Sequence, residues 1–450
     1  MNPVGILLVT ITMIAPAVAI WPLAQIHPNG ALLAQYFGIT SIIAMAWGQI
    51  IATRWRGVEL LFGAMDRGYV IHKWLGIAAL ALMYLHDTID PEIKKLAAET
   101  WLTDLGEELG EISLNGITIL VAMTMALFIP YHLWRWTHRF IGIFFVLAVL
   151  HFAFIAKPFA NTSTLGLFVL GMGFLGTIAA VYGALPLRFQ RNHGYIVADI
   201  SQTGDATAMT LTPNGAHLRH RAGQFAFIEI AGNRLGEPHP FTISSAPNAD
   251  GTIRFTAKAL GGYTRRLQNQ LTIGTHINVQ GPFGRFGTAR SKQPQIWIGA
   301  GIGITPFVAL LDTWNGTKPQ VDLFYCVRDT QIAPHLETLI ASTDNLPNAN
   351  LHVISSANGT RLTGQYIASI CGTNLSKHRA LFCGPSPMRD QLKTSLSEFN
   401  LKRRQFHYEE FEIRTDIWPI SLINTKVKSF LKKRFNPDIK HGGDPKTRSQ

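Results

Sequence analysis

Tyr69 through Asp87 reads YVIHKWLGIAALALMYLHD, an apolar run with one histidine near each end, His72 and His86. A run of this length approaches the roughly 20 apolar residues that a helix needs to cross a hydrocarbon core. Ionisable side chains inside a membrane are costly and are functional candidates by default. Fourteen residues separate the two histidines. That step advances about 21 Å along a helix and returns to within about 40° of the starting face. One helix can therefore offer ligands at two depths.

Five further apolar stretches, at 4–24, 32–53, 113–131, 138–156 and 164–185, extend the pattern to a six-helix transmembrane bundle. The first lacks the basic n-region of a secretory signal and reads as a retained helix. The fifth carries His138 and His151. The third and fifth spans run in the same direction, so His72 is expected to face His138 at an inner haem, and His86 to face His151 at an outer one. A lone histidine at a membrane boundary is more often an interfacial, hydrogen-bonded residue. Four at matching depths on two parallel spans reverse that reading. The thirteen-residue step on the fifth span leaves its two side chains about 140° apart on an ideal helix. A tilt, an irregular turn near Gly142 or offset haems must make up the difference.

The 450 residues carry a net charge of +12, and the basic residues collect where cytoplasmic loops retain them. Arg54, Arg56 and Arg67 follow the second span, Arg135 and Arg139 the fourth, and Arg188 and Arg191 the sixth. The third-to-fourth connection is acidic, with Asp87, Asp90, Glu92, Glu99, Asp104, Glu107, Glu108 and Glu111 against Lys94 and Lys95. It is expected to face out. Both termini are then cytoplasmic, in an integral protein of a bacterial inner membrane. The charge suits an anionic bilayer surface, with no interleaved basic and aromatic segment to suggest nucleic acid. Cys326, Cys371 and Cys383 show no CxxC or Cys/His spacing, which argues against a disulfide framework or a zinc site. The basic tail, with Lys426, Lys428, Lys432, Lys433 and Arg434, reads equally as a membrane-surface segment or a solvated end.

The second half reads as mixed α/β. Short β-rich runs such as Phe225–Ile230 and 252–256, separated by Gly, Asn and Pro turns, suggest an antiparallel β-barrel. Within it stands His239-Pro240-Phe241-Thr242-Ile243-Ser244, followed by Lys258-Ala259-Leu260-Gly261-Gly262-Tyr263-Thr264. Two glycines at a helix start let backbone N–H groups approach a pyrophosphate. Gln295–Ile298 is a short apolar strand that runs into Gly299-Ala300-Gly301-Ile302-Gly303-Ile304-Thr305-Pro306. Strand, glycine loop and helix are the context a dinucleotide site requires. Further on come Arg328, Arg361, the strand end Leu381-Phe382-Cys383-Gly384-Pro385, and Phe406-His407-Tyr408-Glu409-Glu410-Phe411.

With these motifs the chain resembles the ferric reductase and NADPH oxidase superfamily of transmembrane b-type flavocytochromes, whose dehydrogenase part is similar to ferredoxin-NADP reductase. The resemblance implies a haem-binding helical domain at 1–188, an FAD-binding β-barrel at 189–290, a Rossmann-like NAD(P)-binding α/β domain at 291–415 and the tail at 416–450. His72, His86, His138 and His151 become axial ligands of two haems b. Phe144, on the fifth span, stands where relatives place an aromatic between the haems, and core or lipid packing explains it equally well. Phe241 lies against the flavin and Thr242 near its reactive edge, with His239, Pro240 and Ser244 as neighbours. Lys258, Gly261, Gly262 and Thr264 serve the pyrophosphate. Gly299, Gly301, Gly303, Thr305 and Pro306 serve the nucleotide, and Arg328 and Arg361 favour NADPH over NADH. Cys383, with Gly384 and Pro385, borders the nicotinamide, and Phe411, with Tyr408 as the alternative, stacks on the flavin. Electrons then pass from cytosolic NAD(P)H to an outer acceptor, either dioxygen or ferric iron. The other reading is a haem-free anchor for a reductase that serves a partner protein. No residue speaks for a regulatory subunit.

Overall fold

The computed structural model describes residues 2–63, 65–89, 100–126, 128–129, 131–185, 189–190, 192–230, 238–287 and 292–409. Phe411 and the basic tail lie outside them, as do Arg188, Arg191 and the acidic residues 90, 92 and 99. Two compact units emerge among the described residues, one carrying the N-terminal helices as far as Ala184 and the other the strands and helices between 189 and 409.

The first unit contains α1 (Pro3–Ile20), α2 (Asn29–Ala52), α3 (Arg56–Phe62), α4 (Met65–Thr88), α5 (Trp101–Met125), α6 (Tyr131–His138), α7 (Ile141–Phe154) and α8 (Thr164–Ala184). Among the described residues five segments are long and apolar enough to cross a membrane: Pro3–Gln25, Asn29–Ala52, Arg67–Thr88, Leu133–Phe154 and Thr164–Ala184. They fall within a few residues of five of the expected spans. The fourth expected span, 113–131, differs. Its helix starts at Trp101, and Asp104, Glu107, Glu108 and Glu111 are exposed on its first turns instead of lying in a loop. The cause is a cap. Thr100 Oγ1 accepts from the Thr103 amide and Thr103 Oγ1 from the Thr100 amide, and acidic residues suit a helix N-terminus. A search for unbroken apolar runs starts the helix where the charges stop, whereas the backbone starts it at the cap.

α2 forms the centre of this unit, with Ala34, Ile43, Ala44 and Ala46 fully buried. Lipid is as apolar as a side chain, so helices in a bilayer associate through close packing, which small residues permit. A Cβ on Gly176 of α8 would come 2.9 Å from the Ala46 Cα, so these two backbones approach because neither position carries bulk.

The second unit opens with a curled antiparallel sheet built from β1 (His193–Thr203), β2 (Ala206–Pro213), β3 (Phe225–Ile230), β4 (His239–Thr242), β5 (Ile253–Lys258) and β6 (His276–Phe283). The strand order is β4-β3-β6-β1-β2-β5, and an Ile243–Phe255 bridge ties one edge back to the other. Tyr195, Val197, Met209, Leu211, Phe255 and Val279 fill its interior. α9 (Gly262–Gln270) follows β5.

A parallel sheet comes next: β7 (Gln295–Ala300), α10 (Thr305–Leu311), β8 (Val321–Val327), α11 (Leu336–Asp344), β9 (Ala349–Ser355), α12 (Gly364–Cys371), β10 (Arg379–Cys383), α13 (Ser386–Glu398) and β11 (Phe406–Tyr408). Read across, the order is β9-β8-β7-β10-β11, with every pairing parallel. Ile296, Trp297 and Ile298 are all buried, as a strand covered on both faces requires. Strand order reverses between β7 and β10. In such sheets ligands bind outside the carboxyl ends of the strands at this reversal.

Candidate functional site

The four membrane histidines come together in two pairs. The ring centroids of His72 and His138 are 6.1 Å apart, at 66° between planes. Those of His86 and His151 are 6.2 Å apart, at 70°. A metal bound by two imidazoles holds each nitrogen at about 2 Å, and the ring centre lies about 1 Å further, so about 6 Å is the separation such a pair needs. No group of three or more His, Cys, Asp or Glu suited to a metal stands among the described residues. Two imidazoles alone suit a metal that brings its own equatorial ligands, as haem iron does.

Each ring is held by its other nitrogen. Nδ1 lies 2.9 Å from the Gly48 carbonyl for His72 and 2.9 Å from the Ala34 carbonyl for His86. For His151 it lies 2.8 Å from the Gly106 carbonyl. A carbonyl only accepts, so Nδ1 carries the proton and Nε2 keeps its lone pair for a metal. His138 uses Thr124 instead, at 3.0 Å. Thr124 donates its own proton to the Leu120 carbonyl at 2.8 Å and also accepts from Trp134 Nε1 at 3.1 Å. It is left as an acceptor for His138 Nδ1–H.

The thirteen-residue spacing is resolved by a break in the fifth span. α6 ends at His138, and α7 begins at Ile141 after a turn at Arg139–Phe140. Gly142 and Ile143 donate to carbonyls three residues back, at 3.3 and 2.9 Å. The helical phase is reset between the two ligands.

Glycines that the sequence reading passed over make room for the rings. A helical carbonyl is shielded by the side chain four residues on. Beyond Ala34 and Gly106 those positions are Gly38 and Gly110, and a Cβ there would come 3.0 Å from His86 and 2.7 Å from His151. Glycine thus uncovers the carbonyl and seats the ring in one step. The available signal was two glycines at helical spacing, as with Gly106 and Gly110, in the acidic stretch ahead of the fourth apolar run. Phe144 lies in similar fashion over Gly116, and Ser113 Oγ donates to its carbonyl at 2.8 Å. Gly110→Val is expected to displace His151 and to cost about half of the metal that the two imidazole pairs would hold, with the spectrum of the purified protein as the check. Such loss of support for a ligand costs about 10- to 100-fold in metal affinity.

On the curled sheet, β4 is an edge strand that pairs through Phe225↔Thr242, Ala226↔Phe241, Phe227↔Pro240 and Ile228↔His239. His239 stacks on Tyr263 with centroids 3.5 Å apart and planes 14° apart. Tyr263, which the sequence reading left without a role, thereby joins this strand to the start of α9. Gly261 caps that helix, its amide donating to Thr264 Oγ1 at 3.0 Å, which leaves the following amides to face an anion. Lys258 pairs with Asp205 at 3.3 Å. Ser244 is fully buried and donates to the Arg254 carbonyl at 3.1 Å, so the structure turns it inward. An edge strand and an open helix start are the surfaces that a flavin ring and a pyrophosphate need.

At the strand reversal, Cys383 pairs in register with Gly299. Gly303 packs directly against the Cys383 carbonyl, and a Cβ on Gly384 would lie 2.8 Å from the Ala300 Cβ. Thr305 donates to the Ile302 carbonyl at 3.1 Å, and Pro306 sits in the first turn of α10. Pro385 precedes α13. Arg328 follows β8 directly, Arg361 follows β9 by six residues, and both are exposed. The glycine loop, Cys383, Gly384 and Arg328 therefore share one end of the sheet.

Burial, helped by Glu409, pushes the Cys383 thiol far above its usual range, and burial pushes Cys326 and Cys371 up to about 12. Only a thiolate is an effective nucleophile. The folded protein is expected to resist alkylation at pH 7.5 and to react at all three thiols once denatured, as mass spectrometry would show.

Residues 37–149 match a family model described as the ferric reductase like transmembrane component. Residues 195–296 match one described as an FAD-binding domain. The reductase subunit of stachydrine N-demethylase from Rhizobium meliloti (strain 1021) is 26% identical over 214 residues, covering 44% of this chain and 60% of that protein. The ferredoxin reductase component of 3-ketosteroid-9-alpha-monooxygenase from Rhodococcus rhodochrous is 29% identical over 200 residues, covering 43% and 56%. The chain thus spans somewhat over half the length of these relatives. Among solved structures, the flavohem-like FAD/NAD binding domain of nitric oxide dioxygenase from Vibrio cholerae O1 biovar El Tor is 21% identical, with a TM-score of 0.44, covering 49% of this chain and 98% of that one.

Proposed function

Because the chain matches a ferric reductase and NADPH oxidase type of superfamily in both halves, we propose that it is a membrane oxidoreductase. It draws electrons from cytosolic NAD(P)H and delivers them to an acceptor at the other face of the bilayer. The observation that carries this reading is the pairing of four imidazoles, two by two with ring centres about 6 Å apart, each with Nδ1 engaged. Bound FAD and two b-type haems would supply the hydride acceptance and one-electron carriage that side chains lack.

The chain's own residues then have definite tasks. His72 with His138, and His86 with His151, would hold the two irons, and ligation by two imidazoles would suit them to electron transfer. Phe241 and Thr242 on β4 would seat the flavin ring, while Gly261, Gly262 and Thr264 would present amides to its pyrophosphate. The Gly299–Pro306 loop takes the nucleotide, and Cys383, held as a neutral thiol, packs beside the nicotinamide. Arg328 and Arg361 favour the 2′-phosphate of NADPH. Phe411, with Tyr408 as the alternative, would stack on the flavin. Of the six spans in this reading, α5 supplies the fourth. The basic loops and both termini are cytoplasmic in a bacterial inner membrane, with the helical domain ending near 188 and the flavin domain near 290.

The test is a reduced-minus-oxidised spectrum of the purified protein, followed by NADPH consumption with dioxygen alone and then anaerobically with ferric citrate. A two-haem b-type signal with consumption in either assay is expected. A protein without any haem signal that still oxidises NADPH would be a membrane-anchored reductase for a partner protein. The two acceptor assays separate dioxygen from ferric iron.

A further inference from the structure

The loop from Arg328 to His335 joins β8 to α11 and is anchored at several points. The Arg328 carbonyl accepts from Ser355 Oγ at 3.1 Å and from the Ala357 amide at 3.0 Å. Asp329 Oδ1 caps the Gln331 amide at 2.9 Å. Ile332 lies against Gly204, in the turn between β1 and β2, so closely that a Cβ there would come 2.8 Å from the Ile332 Cβ. Tyr325 Oη donates to the Pro334 carbonyl at 2.9 Å from a fully buried ring. Such fixation exceeds what a connection between two elements requires.

The loop ends on His335, which takes a left-handed conformation at φ 62° and ψ 11°. Outside glycine that conformation is uncommon and persists where the surroundings over-determine it. What determines it here is a bond to the curled sheet: His335 Nε2 lies 2.8 Å from Thr256 Oγ1 on β5. Thr256 Oγ1 lies in turn 3.1 Å from Ser244 Oγ, and both residues are buried. Proton accounting gives the chain a direction. Ser244 donates to the Arg254 carbonyl, so it accepts from Thr256, which leaves the Thr256 oxygen to accept from His335 Nε2–H. Burial, with Arg254 nearby, lowers the imidazole pKa to about 4, so this neutral tautomer persists throughout the physiological range. Ser244 lies two residues beyond Thr242.

We propose that His335 is a positioning residue, holding the nucleotide loop that begins at Arg328 at a fixed distance from the flavin strand that carries Thr242. This rests on the proposed function and goes beyond it. Hydride transfer is steeply sensitive to the separation of its partners, with about 1 Å of misplacement costing on the order of 100-fold. A strut between the two binding surfaces would set that separation whether or not nucleotide affinity changes.

The experiment uses the full chain in detergent and follows anaerobic bleaching of the flavin by NADPH in a stopped-flow instrument, together with nucleotide affinity, flavin content and melting temperature. His335→Asn tolerates the left-handed backbone but is too short to reach Thr256, whereas His335→Gln restores a donor at the Nε2 position. His335→Asn and Thr256→Val are each expected to lower the limiting rate about tenfold, with flavin content and nucleotide affinity near wild type. The double variant should lose no more than either single one, because both remove the same link, and His335→Gln should recover most of the rate. Losses that multiply in the double variant, or rates within twofold of wild type in both singles, would overturn the strut alone. A wild-type flavin that NADPH does not bleach would overturn the proposed function and the strut with it.

Discussion

Replacing His86 or His151 with alanine is expected to abolish NADPH-driven reduction of any acceptor at the outer face while leaving NADPH-driven bleaching of the flavin intact. The two rings stand 6.2 Å apart, a separation at which both nitrogens reach one metal and neither reaches the other. Removing either leaves the remaining imidazole anchored to its own carbonyl, the Ala34 oxygen for His86 or the Gly106 oxygen for His151, and unable to move across and compensate. The loss should therefore exceed the about 10- to 100-fold that follows when only a supporting partner of a metal ligand is removed. About half of the b-type absorbance should disappear, because the His72–His138 pair is built from separate contacts. Flavin bleaching draws on residues of the second unit alone and serves as the internal control. Full outer-face activity in His86→Ala, with undiminished absorbance, would remove the bis-imidazole site from the mechanism.

Much of this arrangement was legible in the sequence because periodicity reports depth and face directly. A fourteen-residue step on one helix needs no tertiary information to place His72 and His86 on one side. Five of the described spans could be located within a few residues for the same reason, since apolar length is a local property. The fourth could not. Its start is set by the Thr100–Thr103 cap and not by hydropathy. The break after His138 was inferable only as a geometric debt of the thirteen-residue spacing, and its position at Arg139–Phe140 depends on packing that no local pattern encodes. The same holds for Thr124 and for Gly38 and Gly110, which matter through what lies opposite them. In the second unit the motifs located the strands, yet Ser244 turned inward to Arg254 and Thr256. A hydroxyl beside a binding motif has the same letters whichever way it points.

Gly303→Ala should reduce kcat/KM for NADPH by about 100-fold. Gly303 has ordinary dihedrals but no space: its missing Cβ would overlap the backbone carbonyl of Cys383. No rotamer can relieve a clash between two main chains, so the end of β10 must move away from β7, where Cys383 pairs with Gly299. That opens the reversal point of the sheet, the place where nucleotide would be gripped. The curled sheet has its own core, so flavin content should survive the substitution, and kinetics with a soluble dye acceptor isolate the nucleotide step. If Gly303→Ala kept wild-type kcat/KM, the glycine loop would be packing for its own sake, and the nucleotide would have to bind elsewhere on the second unit.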